Sequence, residues 1–129
     1  MKTFNSALIL LLLGVGTLAM AACSGGVGAA ASVTPPADAA ASIEANNLKF
    51  DTAELAVPAG APFKLFFKNL ESAPHNVAIY GDSSAREKSF VGETITNAAV
   101  TYDVPALPAG EYFFRCDVHP DMNGTLRTN

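Results

Sequence analysis

The chain has 129 residues, of which 50% are apolar, and a formal net charge of −4. That length suffices for one compact domain and is short for two. An acidic chain has no excess of lysine and arginine with which to neutralise phosphates, and this argues against a nucleic-acid partner.

The first 22 residues have the three-part layout of an export signal. Lys2 gives a positive start, the run 8–13 is apolar throughout, and small residues lead up to Ala22. The apolar run is too short for a membrane span of about 20 residues. We therefore predict a signal peptide over residues 1–22. A retained anchor helix, which would have to include two glycines, is the alternative.

Cys23 lies directly after this signal. The run Met20-Ala21-Ala22-Cys23 resembles a bacterial lipobox, with Met20 where leucine is commoner. In a lipobox the cysteine is acylated and becomes the new N-terminus, so the resemblance implies a lipid anchor at Cys23. The protein would then lie in the periplasm or on the outer face of the cell membrane. Ordinary cleavage after Ala19-Met20-Ala21, which leaves Cys23 as a stray thiol, stays open.

Residues 23–42 are rich in Gly, Ala, Ser and Pro, and Asp38 is their only charged residue. Such a composition cannot build a core, and we predict a flexible, low-complexity tether. As a random coil, the part after Cys23, about 19 residues, would span on the order of 25 Å. A spacer that only separates signal from fold is compatible with the same residues. The domain itself is predicted over residues 43–129.

Period-two alternation dominates residues 43–129. Apolar residues alternate with lysines over 63–68 and with polar residues over 100–104. The twin triplets Pro-Ala-Gly at 58–60 and 108–110 suit turns that precede strands. Short strands between such turns predict an antiparallel sandwich or barrel. Only residues 82–89 differ, and they indicate one helical turn or a mobile loop.

The two histidines, the one cysteine and the one methionine of residues 43–129 fall in two places of the sequence. Cys116, His119 and Met122 lie within one short segment, and His75 stands apart. One thiolate, two imidazoles and one thioether are the donor set of a trigonal copper site with a weak axial methionine. Thiolate and imidazole suit both copper oxidation states, and a thioether favours Cu(I). We therefore predict one type 1 copper ion at these four residues.

The strand pattern predicts that these side chains can meet. His75 shares a strand face with the apolar residues two and four positions later, and Cys116 with those two and four positions earlier, so both point inward. The loop after Cys116 must then turn back sharply. Pro120 and Gly124 suit that turn, and residues 125–127 resume a strand.

Two segments are similar to the cupredoxins, the blue-copper family that includes plastocyanins and amicyanins. Residues 74–77, Pro-His-Asn-Val, resemble the family's first-ligand strand, and residues 112–124 resemble its second-ligand loop with the Cys-x-x-His-x-x-Met spacing of amicyanin. The resemblance implies an all-β, Greek-key β-sandwich of about eight strands and a type 1 copper ion. It further implies electron entry through His119 and a hydrogen bond from Asn76 across to the Cys116 loop.

The function implied by this resemblance is one-electron transfer in the cell envelope by Cu(II)/Cu(I) cycling, without enzymatic activity. The expected partners are redox proteins such as a cytochrome, an oxidase or a reductase, and the expected state is a monomer. Pro74, Pro120 and Met122 are expected to form a small apolar docking patch around His119. A copper carrier or buffer without an electron-transfer role is the alternative, and a metal-free interaction module is a third class.

Each proposed ligand also has a simpler interpretation. His75 could have a purely structural role, Cys116 could be an inert buried thiol, and Met122 could simply pack in the core. The four residues together could also bind zinc. Enzymatic interpretations are weaker. A Cys-His nucleophilic pair needs an exposed thiolate, and the multicopper oxidases and reductases of this fold need more histidines than the two present.

Overall fold

The computed structural model describes residues 33–129. The predicted signal peptide, the acylation of Cys23 and the tether up to residue 32 lie outside these residues. In the part described, no helix is long and apolar enough to cross a membrane. The described residues form nine strands: β1 (Ala39–Asn46), β2 (Lys49–Phe50), β3 (Glu54–Val57), β4 (Phe63–Asn69), β5 (Ala78–Tyr80), β6 (Lys88–Val91), β7 (Ala98–Val104), β8 (Gly110–Arg115) and β9 (Asn123–Thr128).

The strands form two sheets, in the orders β2-β1-β4-β7 and β3-β9-β8-β5-β6. The predicted all-β fold with strands at 63–68 and 100–104 is confirmed. Most strand pairs are antiparallel, as expected, but β1 pairs with β4 and β3 pairs with β9 in parallel. Parallel pairs need long connections, and here the chain crosses to the other sheet and back before each pair forms.

One apolar core lies between the two sheets. Ile43 and Phe67 enter it from the first sheet, and Phe114 and Leu126 enter it from the second, each with at most 1% of its surface exposed. The period of two in β4 keeps its lysines on the outer face, as the sequence predicts. Burial of these large side chains is the main force that holds the sheets together.

Both Pro-Ala-Gly turns lead into strands, β4 and β8. Gly60 has φ of +74°, in the left-handed region that favours glycine. Its N–H donates to the carbonyl of Leu107 at 2.8 Å, which joins the first turn to the segment before the second. Residues 82–85 form a β-turn closed by the bond from Ala85 N–H to Asp82 O at 3.1 Å, and no helical turn forms there.

The first strand begins at Ala39, four residues before the expected start of the domain at Ile43. Its small residues pair in register with β4, where Ala41 lies opposite Leu65. β4 and β8 end at the same end of the sandwich, since the segment after β4 runs to β5, whose Ala78 pairs with Arg115 of β8. The segments that carry the predicted ligands leave the sheets at this end.

Candidate metal centre

His75 lies in the connection between β4 and β5 and is fully buried. It forms an isolated antiparallel bridge with Ile95, in which His75 N–H donates to Ile95 O at 3.1 Å and Ile95 N–H donates to His75 O at 2.9 Å. The backbone of the predicted first ligand is therefore fixed by two hydrogen bonds to Ile95, although β5 itself begins only at Ala78.

Cys116 directly follows β8 and is buried in the core as a free thiol. Its N–H donates to Met122 O at 2.9 Å, and Met122 N–H donates to His119 O at 2.9 Å. Asn123 Nδ2 also donates to Pro120 O, at 2.9 Å. These bonds close the loop between β8 and β9, so the sharp turn predicted from the sequence is confirmed.

Three donor atoms converge at this end of the sandwich. Cys116 Sγ lies 3.6 Å from His75 Nδ1, and the Nδ1 atoms of His75 and His119 lie 3.2 Å apart. All three atoms fall within 4.8 Å of one another. Met122 is 3% exposed and packs in the same core cluster as Cys116. The structure thus brings three of the predicted ligands together at one point, and Met122 lies in the loop that closes beside them, with backbone bonds to Cys116 and His119.

The spacing of these atoms and the donor set fit copper. In a trigonal site, nitrogen ligands about 2.0–2.1 Å from a metal such as zinc lie about 3.5 Å apart, and a sulfur at about 2.3 Å lies about 3.8 Å from each nitrogen. Two of the three separations, 3.2 and 3.6 Å, are close to these values, and the three donor atoms all lie within 4.8 Å of one another. Two imidazoles, one thiolate and one thioether are the type 1 copper set, whereas structural zinc sites use more thiolates.

The carboxylate of Glu71 fixes the tautomer of His75. His75 Nε2 lies 2.8 Å from Glu71 Oε1, which also accepts the N–H of Leu48 at 2.9 Å. The bond from Leu48, and then the one from His75, lowers the pKa of Glu71, so this oxygen is an ionised acceptor. The proton of His75 therefore sits on Nε2, which leaves the Nδ1 lone pair facing Cys116.

Glu71 also holds an unusual turn in place. Leu48, between β1 and β2, has φ of 55° and is 52% exposed. Few residues other than glycine and asparagine adopt this left-handed conformation. The N–H that Leu48 donates to Glu71 links this turn to His75 through a single oxygen. A spacing of four residues predicts a contact only in a helix, and residues 71–75 form none, so the sequence gives no signal for the contact of Glu71 with His75.

Asn76 joins the two ligand-bearing segments, as the resemblance to cupredoxins implies. Its Oδ1 accepts the N–H of Asp117 at 2.8 Å, and its Nδ2 donates to Gly92 O at 3.0 Å. Asn76 is 3% exposed. The predicted bridge from Asn76 to the Cys116 loop is therefore confirmed.

A polar cluster beside Cys116 was not predicted from the sequence. Tyr80 O–H donates to Asp117 Oδ1 at 2.6 Å, and Arg115 Nε–H donates to the same oxygen at 3.0 Å. The guanidinium of Arg115 also lies 4.9 Å from the centre of the Tyr80 ring. Tyr80 and Asp117 are 37 positions apart. No local pattern could have signalled their contact.

The surface around His119 differs from the predicted docking patch in one member. His119 is partly exposed while His75 is fully buried, so His119 is the more accessible histidine, as expected. Pro74 and Pro120 are exposed. Met122 is 3% exposed and adds nothing to the patch, because the closed loop turns its side chain into the core. Val118, 44% exposed, lies beside His119 in the chain.

Gly124 allows close packing next to the site and is not part of the turn. It lies within β9 and pairs with Phe114. A Cβ at this position would clash with the carbonyl oxygen of Ala53 and with the ring of Phe114. The ring of Phe114, which precedes Cys116 by two positions, therefore needs a glycine opposite it.

A two-sheet, all-β domain with two histidines, a cysteine and a methionine gathered at one end defines the class of small copper proteins. A family model described as the cupredoxin-like domain matches residues 10–127. The chain belongs to the cupredoxin-like family. Its cofactor is one copper ion, with the four residues in the positions of a type 1 site.

Solved structures with the same fold include two kinds of cupredoxin. Amicyanin from Paracoccus versutus is 32% identical, with 78% of this chain and 88% of that chain covered and a TM-score of 0.57. Auracyanin A, a "blue" copper protein from Chloroflexus aurantiacus, is 24% identical, covers 68% and 96% of the respective chains, and has a TM-score of 0.58.

A third structure is a point variant of amicyanin in its reduced Cu(I) form at pH 4. It is 26% identical, with 79% of this chain and 90% of that chain covered and a TM-score of 0.56. Comparison with curated protein sequences finds no significant match. The auracyanin similarity establishes the fold, and the amicyanin similarity extends to sequence.

Proposed function

We propose that this protein is a one-electron carrier of the cell envelope, in which His75, Cys116, His119 and Met122 hold a single copper ion. The observation that carries the proposal is the convergence of Cys116 Sγ and two imidazole Nδ1 atoms within 4.8 Å. Membership of the cupredoxin-like family supports it. The amicyanin variant that contains Cu(I) adds support from a related chain.

Bound copper would supply a one-electron Cu(II)/Cu(I) couple. The role of the protein is to keep the ligands in the same positions in both oxidation states. His75 and Cys116 are buried and fixed by backbone bonds to Ile95 and Met122. Ligands that do not move between the two states make each electron transfer faster, because little rearrangement accompanies it.

His119 gives the electron its route to the surface, since it is the more exposed of the two imidazoles. A reduced redox protein that docks at His119 loses one electron and is left oxidised. A second, oxidised redox protein takes the electron out by the same edge. No bond forms or breaks and no proton is transferred, so the rigid cluster suffices.

We further propose that the chain is exported and anchored. The support is the sequence of residues 1–22 and the lipobox-like position of Cys23. One acyl chain binds a membrane only marginally, so stable attachment at Cys23 needs more than one. Residues 43–129 then form the copper domain, working as a monomer beside the membrane.

The test is the visible spectrum and the redox behaviour of the purified, copper-loaded protein. We expect an intense thiolate-to-Cu(II) band and reversible one-electron reduction. Cys116→Ser removes the band, whereas Cys23→Ser, the matched control, keeps it. A colourless Cu(II) protein, or copper that cannot be reduced reversibly, contradicts the proposal and favours a copper carrier or buffer.

A further inference from the structure

The cluster of Tyr80, Arg115 and Asp117 lies on the outer face of the second sheet. In the pairing of β5 with β8, Ile79 and Phe114 face the core, so Tyr80 and Arg115 face outward. Tyr80 is nevertheless only 1% exposed. Arg115 and Asp117, whose side chains are each 27% exposed, form an ion pair next to its hydroxyl.

Two members of this cluster are the sequence neighbours of Cys116. Arg115 precedes the thiol-bearing residue and Asp117 follows it. One Asp117 oxygen accepts bonds from both Tyr80 and Arg115, while the Asp117 N–H donates to Asn76. Asp117 is therefore fixed through its side chain and its backbone at once. A carboxylate and a guanidinium that bond to each other are therefore held on the two residues next to the thiol.

The charges of the cluster are well defined. The hydrogen bond from Asp117 raises the pKa of Arg115 above its already high value. Burial, and next the contact with Asp117, raises the pKa of Tyr80. The cluster therefore consists of a charged guanidinium, the carboxylate that accepts its hydrogen bond, and a neutral phenol.

We propose that Asp117 is a positioning residue for Cys116 and that the Asp117–Arg115 pair sets the reduction potential of the metal centre by charge compensation. This inference rests on the proposed function. Tyr80 holds the carboxylate in place and adds no charge of its own.

The sign of each effect follows from electrostatics. The oxidised centre carries one more positive charge than the reduced one, so a nearby anion stabilises the oxidised state and a nearby cation stabilises the reduced state. Loss of the Asp117 charge leaves Arg115 uncompensated and raises the potential. Loss of the Arg115 charge leaves Asp117 uncompensated and lowers it. When both charges are lost, the two shifts in the reduction potential largely cancel.

The experiment measures the reduction potential of three copper-loaded variants by voltammetry. Asp117→Asn is expected to shift it upward, Arg115→Gln downward, and the double variant back toward the wild-type value. The matched control is Asp121→Asn, which removes an exposed carboxylate from the same loop. Because solvent screens an exposed charge, its shift is expected to be smaller than that of Asp117→Asn.

A second measurement needs no copper. Amide hydrogen exchange of the metal-free protein is expected to speed up at Cys116 and Asp117 in Asp117→Ala, and to a lesser extent in Tyr80→Phe. Asp121→Ala is expected to leave both amides unchanged. A role in positioning predicts this local effect, whereas a general loss of stability speeds exchange across the core strands.

The outcomes separate the two proposals. Shifts of the same sign in Asp117→Asn and Arg115→Gln, or no shift, overturn the charge compensation while a reversible wild-type couple upholds the proposed function. Unchanged exchange at Cys116 and Asp117 in Asp117→Ala overturns the positioning role. If the wild-type protein shows no reversible couple, the proposed function and the charge compensation fail together, and amide exchange still decides the positioning role.

Discussion

The side-chain oxygen of Asn76 accepts the backbone N–H of Asp117 at 2.8 Å, across 41 positions of the chain. Asn76 follows His75, and Asp117 follows Cys116. A single buried amide thus connects the neighbours of two proposed ligands. Its Nδ2 makes a further bond to Gly92, directly after β6, so three segments meet at one side chain.

Replacement of Asn76 by alanine is expected to loosen the site before any metal binds. It leaves the N–H of Asp117 and the carbonyl of Gly92 without these partners in a buried place. The loss of unfolding free energy is expected to be about 1–3 kcal/mol, measured by denaturant unfolding of the metal-free protein. The control is Asn46→Ala, at an exposed position of β1. A loss no larger than in this control contradicts the bridging role.

The ligand set could be predicted from the sequence because its signal is local. Cys116, His119 and Met122 lie on one loop with a fixed spacing, and His75 lies in a four-residue motif. The alternation of apolar residues in β4 and β7 likewise shows which face is buried. These features need no knowledge of distant contacts. The structure confirms the strand pattern and brings His75, Cys116 and His119 together.

The supporting shell of the site depends on contacts that the sequence does not reveal. The bond of Tyr80 to Asp117, or of Leu48 to Glu71, exists only once the sheets have formed. The parallel pairing of β1 is hidden for another reason. Residues 39–42 are alanines and a serine, which have no alternation of large apolar side chains, so composition alone predicts a tether there.

Glu71 is expected to control metal affinity through the tautomer of His75. Glu71→Ala removes the acceptor of the Nε2 proton, and loss of such a partner typically costs about 10–100-fold in metal affinity. Glu71→Gln keeps an acceptor oxygen and is expected to lose less. Affinity is measured by competition with a copper chelator. The control, Glu93→Ala, removes an exposed carboxylate close in sequence to Ile95. Equal losses in the alanine variants at 71 and 93 would rule out a specific role for Glu71.

Gly124 is expected to tolerate no side chain. Gly124→Ala forces a Cβ against the carbonyl of Ala53 and the ring of Phe114, and overpacking of this kind costs about 1–3 kcal/mol. Gly110→Ala is the matched control in the neighbouring strand, where the nearest atom, in Tyr112, is 3.9 Å from the new Cβ. It is expected to change stability by about 0.5 kcal/mol or less. Thermal unfolding of both variants checks the difference.

Pro120 is expected to contribute to partner docking, since it is exposed beside His119. Pro120→Glu places a charge on this surface and is expected to slow electron self-exchange about tenfold, equivalent to about 1.4 kcal/mol. The colour is expected to persist, because no ligand changes. Pro62→Glu is the control, since Pro62 is exposed just before β4, at the end of that strand opposite the His75 segment. Equal rates in both variants would remove Pro120 from the docking surface.

Tyr102 makes the stability of the fold sensitive to alkaline pH. It is 5% exposed and its hydroxyl donates to Glu93 O at 2.7 Å. Burial, and next the charge of Glu93, raises the pKa of Tyr102 well above its ordinary value of about 10. The unfolded chain therefore loses this proton at a pH where the folded chain keeps it. The stabilisation is complete below about pH 10 and declines as the pH rises further.

The expected decline from Tyr102 is about 1.4 kcal/mol of unfolding free energy per pH unit above about pH 10. Tyr80, whose pKa is raised mainly by burial, adds to the slope. Tyr102→Phe is expected to lose about 1 kcal/mol at pH 8, where only the hydroxyl bond is missing. The difference in unfolding free energy between Tyr102→Phe and the wild-type protein is expected to shrink between pH 10 and 11, because phenylalanine has no proton to release. Denaturant unfolding of the metal-free protein at pH 8, 10 and 11 measures both effects. Parallel pH profiles for the two proteins would show that the Tyr102 hydroxyl does not cause the alkaline loss.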